Sequence, residues 1–141
     1  MSLANVWLDT LGDGLIRADA IIGVRTHPTP VIAGKLSHWL VDVVLAVSTG
    51  SGLTDSWALG PLHRTLIQTD RQPLDAPQQL VRLLAQLDAT NAAGIVTTSA
   101  GPAPHGQPNG VEQGPETTAV RFRYTPFPAT EAGRHYDAHY L

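Results

Sequence analysis

His38-Trp39-Leu40-Val41-Asp42-Val43-Val44-Leu45-Ala46-Val47 is the stretch on which the fold turns. Its odd positions, Trp39, Val41, Val43, Leu45 and Val47, are all apolar, while the even positions include His38 and Asp42. Successive side chains of a strand point to opposite faces, so this alternation of β-branched and other apolar residues predicts a strand with one buried face. Leu40 and Val44 on the second face predict that it is partly covered too.

Upstream, residues 5–8 and 15–24 are apolar-rich and are separated by Thr10-Leu11-Gly12-Asp13-Gly14. The Asp-Gly pair tolerates positive φ and marks a hairpin between two short strands. Downstream, Ser48-Thr49-Gly50-Ser51-Gly52 reads as a flexible turn leading through Thr54-Asp55-Ser56 into Trp57-Ala58-Leu59. Gly60-Pro61 and a β-like run over 62–69 complete a meander of about five strands.

A helix follows. Leu80, Leu83, Leu84 and Leu87 repeat at i, i+3, i+4 and i+7, Val81 widens the stripe, and Pro77 falls in the first turn. Asp75 is placed to cap the N-terminus, with Gln78 three residues on, and Gly94 to stop the helix, fraying from Thr90-Asn91. The fold class expected is α+β: an antiparallel β meander or small curved barrel closed by one C-terminal amphipathic helix, followed by an extended tail. This order of elements resembles that of pleckstrin-homology-like and other small β-roll modules, a likeness of architecture with no family motif in it.

The 141 residues carry 43% hydrophobic and 15% charged side chains, a net charge of −3 and no cysteine. Without cysteine, disulfide scaffolds, thiolate zinc sites, iron–sulfur clusters and a cysteine nucleophile are excluded. Nine basic residues against twelve acidic ones make no broad cationic surface, which argues against wholesale nucleic-acid binding. There is no apolar run of ~20 residues and no leader pattern at the start, so the expected setting is the cytoplasm or a particle assembled there, without a membrane. The Ala- and Arg-rich usage suggests a bacterial or phage gene.

Eight of the seventeen residues at 100–116 are Gly or Pro. That composition divides the chain into a β-rich domain with its helix at 1–99, a linker at 100–117 and a docking tail at 118–141. In the tail, Val120-Arg121-Phe122-Arg123-Tyr124 alternates apolar or aromatic residues with arginines before Pro126-Phe127-Pro128. An isolated strand is unstable, so this segment must pair with an edge of its own body or of a neighbour.

Chemistry is sparse. His135 and His139 stand at i and i+4 with Asp137 between them, but two ligands do not complete a tetrahedral metal site, and no metal or cofactor is expected. Thr49-Gly50-Ser51-Gly52 lacks the first Gly of a nucleophile elbow, and the short Gly pairs are no phosphate cradle. His63 or His38 with Asp42 or Asp70 and a serine makes a catalytic set only if the fold brings them together. Of the three tryptophans, Trp7 and Trp39 read as core, and Trp57 as the one at a loop mouth.

The reading that follows is a non-catalytic protein–protein binding or assembly module, acting with copies of itself or another subunit, in a larger bacterial or phage structure. Its partner-binding residues are Val120, Arg121, Phe122, Arg123, Tyr124, Phe127 and Trp57. The alternative is a nucleic-acid-associated accessory protein using Arg121, Arg123 and Arg134 with Phe122, Tyr124 and Tyr136; a small histidine-dependent enzyme comes third.

Overall fold

Alternation at 38–47 does become a strand, and it is the longest in the protein. The computed structural model describes residues 2–53, 56–101 and 117–128, with the side chains of 48–61 outside that description. The elements are β1 (Val6–Asp9), β2 (Leu15–Arg17), a 3-10 turn (Ala18–Ala20), β3 (Ile21–Pro28), β4 (Trp39–Leu53), β5 (Ser56–Thr69), β6 (Gln72–Leu74), α1 (Ala76–Ala89), β7 (Gly94–Gly101) and β8 (Thr117–Pro126). They form a five-stranded sheet in the order β2-β1-β7-β8-β6 and a three-stranded sheet in the order β3-β4-β5. The class is mixed α+β, mostly strands; among the described residues no barrel closes.

The three-stranded sheet is an antiparallel meander. Val41, Val43 and Leu45 are buried on its inner face. The five-stranded sheet is not a meander: β1 pairs parallel with β7, and β6 parallel with β8. Leu80, Leu84 and Leu87 of α1 share one core with Val6 and Leu8 of β1, Val43 and Leu45 of β4, Leu66 of β5 and Val96 of β7. A smaller cluster of Val41, Ala76 and Val120 continues it.

The leucine stripe forms the expected helix, but its ends and its place differ from expectation. Two strands follow α1, so it is not the last element. Asp75 adopts a left-handed conformation (φ 50, ψ 18) and makes no side-chain cap bond; its carbonyl accepts from the Gln79 amide at 2.9 Å. The short junction from β6 into α1 demands that turn, and Asp is among the residues that tolerate it. At the other end Asn91 takes positive φ and the Ala92 amide bonds back to the Leu87 carbonyl at 3.0 Å, which ends the helix at Thr90. Gly94 instead begins β7. A Cβ there would strike the Thr125 carbonyl oxygen and come within 2.6 Å of the Tyr124 ring.

The turn at 10–14 joins β1 to β2 with Gly12 and Gly14 at positive φ, and the Thr10 hydroxyl donates to the Gly14 carbonyl at 2.6 Å. Ser48-Thr49-Gly50-Ser51-Gly52, expected as a turn, lies within β4. Its residues pair with 57–61 of β5, beyond the point at which β3 ends opposite Leu45. The hairpin therefore extends past the three-stranded sheet as a two-stranded ribbon.

Candidate functional site

The alternating segment of the expected tail is β8, and it pairs within its own chain. Residues 119–126 pair antiparallel with β7, and 117–119 parallel with β6. The boundary expected at Ser99 thus falls inside β7, which runs to Gly101. Alternation has the usual consequence: Val120 is buried, and Phe122 and Tyr124 are half-buried against the core, while Arg121 and Arg123 are exposed on the opposite face. The Tyr124 hydroxyl donates to the Ala93 carbonyl at 2.9 Å, and the same carbonyl accepts from the Phe127 amide at 2.9 Å. Of the segment's expected partner-binding residues, Arg121, Arg123 and Phe127 are the ones that face solvent. Trp57 stands opposite Gly52 in the ribbon, with its side chain outside the described residues, as are Arg134, His135, Tyr136 and His139.

Of the catalytic sets considered, the one joining Asp42 to His63 does not assemble. Asp42 is only 5% exposed, and both of its oxygens are engaged: His27 Nε2 lies 2.6 Å from Oδ2, and the Thr65 hydroxyl donates to Oδ1 at 2.7 Å. The other ring nitrogen of His27 faces the Pro28 carbonyl at 3.2 Å. An acidic side chain this buried needs such partners to offset its desolvation. In the order Thr–Asp–His the hydroxyl donates its hydrogen bond to the carboxylate, and among the described residues no histidine accepts from it. His63 stands opposite Val44 on β5, two positions along the same face, and its Nδ1 is buried with no partner. His38 and Asp70, one of the pairings considered, do meet: His38 Nδ1 lies 3.0 Å from the exposed Asp70 carboxylate. A register shift at Val41/Asp42 carries Thr65 opposite Asp42, and nothing local in the sequence marks it.

A surface that sequence reading passed over lies between β3 and β4. The Thr29 amide donates to the His38 carbonyl at 2.7 Å, the His38 amide to the Thr29 hydroxyl at 2.9 Å, and the Ser37 hydroxyl to the Thr29 carbonyl at 3.2 Å. This pinned neck closes a loop with its own turn, Lys35 amide to Ile32 carbonyl at 2.9 Å and Gly34 at φ +85. The loop displays Val31 (82% exposed), Ile32 (61%) and Leu36 (86%) around Lys35, the one lysine in the chain. The legible signal was the Pro30-Val31-Ile32 run before a Gly-Lys turn, too short to score as an element.

Elsewhere charge is ordinary. Arg17 forms a fork with Asp19, both bonds at 2.8 Å, which with the attraction of that carboxylate raises the guanidinium above its usual value against a small opposing effect of burial. Among the described residues no cluster of three or more His, Asp or Glu is placed to hold a metal, and no helix is long and apolar enough to cross a membrane. No family model matches the chain, and no curated protein or solved structure shows a significant likeness to it.

Proposed function

We propose that this protein is a non-catalytic assembly module that associates with copies of itself, as a structural part of a larger bacterial or phage complex. One observation carries the reading: three large apolar side chains are held outward on a loop whose neck is fixed by three hydrogen bonds. A monomer gains nothing from holding such a group in water, and exposed apolar patches of this kind mark contact sites. The ribbon formed by the ends of β4 and β5 supports it, since two strands alone are marginally stable and gain from a neighbour. Phe127, exposed just past β8, adds a further apolar side chain to the proposed contact surface. Asp42, the best-placed acid for catalysis, has its oxygens occupied, which favours binding over chemistry.

The test is the solution mass of the full chain by size-exclusion chromatography with light scattering, alongside a Val31→Asp/Leu36→Asp variant. The wild type is expected to form a defined oligomer and the variant a monomer of unchanged melting temperature. A wild type that stays monomeric at 100 µM, or an oligomer indifferent to the double substitution, overturns the proposal. Truncation at Ser99 is not a usable test, because it removes Val120 from the core and the partner strand of β7.

A further inference from the structure

Among the described residues, the five-stranded sheet buries one face. Val6, Leu8, Val96 and Val120 point into the core, so the intervening residues of the same strands occupy the opposite, outer face. Register places Arg17, Trp7, Ile95 and Thr125 in one row across β2, β1, β7 and β8, with Thr97–Arg123 and Ser99–Arg121 in the next two rows. Trp7, expected in the core, is therefore half-buried on the outer face and is absent from both core clusters. Phe122 and Tyr124, the aromatics paired with these arginines in sequence, point the other way.

Arg121 and Arg123 are exposed and have no hydrogen-bond or ion-pair partner among the described residues, whereas Arg17 is neutralised by Asp19. Apart from Asp19, the acid on this face among the described residues is Asp9, which ends β1 on the same side as Trp7. The face is thus locally positive on a chain of net charge −3. Two arginines at i and i+2 on a strand stand ~6.7 Å apart, close to the spacing of successive phosphates in an extended single strand. A sheet face offers side chains, while a peptide adding to a sheet uses its edge, so a face bearing an indole, hydroxyls and two guanidinium groups unpaired among the described residues suits stacked bases and phosphates better than an acidic peptide.

We propose that this outer face binds single-stranded nucleic acid, with Trp7 stacking on a base and Arg121 and Arg123 contacting phosphates. Two phosphate contacts on a single strand imply a slope of log K against log salt of about −1.4. Loss of one stacking contact implies a fall in affinity of roughly 5- to 150-fold.

The experiment is fluorescence anisotropy of a labelled twelve-nucleotide oligothymidine titrated with the full chain at 20–200 mM salt, beside Arg121→Gln/Arg123→Gln and Trp7→Leu variants whose melting temperatures are checked first. Expected are the stated salt slope, its collapse towards zero in the double arginine variant, and the stacking-sized loss in Trp7→Leu. The arginines are exposed, so the double variant keeps the test open if Trp7→Leu does not fold. Absence of binding at 20 mM salt and 200 µM protein overturns the proposal. So does binding that the arginine variant leaves unchanged, or a poly-glutamate peptide that competes at equal affinity, which would assign the face to an acidic polypeptide.

Discussion

Replacing Gly94 by Ala probes the contact between the body of the protein and its expected tail with a single methyl group. Gly94 opens β7 directly opposite Pro126 of β8. An added Cβ would strike the Thr125 carbonyl oxygen, and would stand 2.6 Å from Tyr124 Cε2 and 2.8 Å from the Pro126 Cα. Overpacking costs ~1–3 kcal/mol in general, and two of these three obstacles are main chain, which cannot rotate away, so the upper value applies. Removing glycine's freedom from the unfolded chain returns ~0.4–1 kcal/mol. The net expectation is a destabilisation of about 2 kcal/mol, which at an m-value near ~1.5 kcal/mol/M lowers the urea midpoint by roughly 1.3 M. Gly101→Ala is the matched control: it sits at the other end of β7, opposite Ala119, and its Cβ would meet nothing within 4 Å. That variant should lie between neutral and about 0.5 kcal/mol more stable. The two chains are compared by urea melts followed by far-ultraviolet circular dichroism. Equal midpoints would refute the reasoning, because they would mean that β8 does not lie where Gly94 needs it.

Three other substitutions follow from the packing. Asp42→Ala leaves the Thr65 hydroxyl and His27 Nε2 without their acceptor and should cost about 3–4 kcal/mol; with Thr65→Val it should be clearly less than additive in a double-mutant cycle by urea melts. Leu80→Ala empties a fully buried position where α1 meets both sheets, and a loss of about 3–5 kcal/mol is expected by the same measurement. Tyr124→Phe removes the bond to the Ala93 carbonyl and should cost about 1 kcal/mol, read as a drop in melting temperature of a few degrees.

Local signals carried well from sequence to structure. Val41, Val43 and Leu45 go inside because strand alternation is a property of neighbours, and the leucines of α1 do so because helical spacing is too. The hairpin at 10–14 was legible for the same reason, since Gly12 and Gly14 meet a demand for positive φ. What was hidden is non-local. Nothing near Val6 announces that its parallel partner is Gly94, and nothing near Val120 says which edge that strand takes. Glycine and serine at 48–52 carry turn propensity, yet pairing with 57–61 holds them extended, a case of tertiary context overriding a local preference. Trp7 was placed in the core for its apolar strand pattern, but alternation puts it on the face opposite Val6 and Leu8, outside both core clusters.

The parallel pairing of β1 with β7 sets a clock on the birth of the molecule. The first strand leaves the ribosome roughly ninety residues before its partner, an interval of roughly 5–20 s at a synthesis rate of ~5–20 residues per second. For most of that time Val6 and Leu8 have a hairpin partner in β2 but neither α1 nor β7 to cover them. The β1–β2 hairpin is thus made well before its cover, and the nascent chain passes through a stage in which an apolar strand edge waits in the open. Crowded synthesis, where such waiting edges can find one another, is the condition under which this chain is most exposed to misassembly.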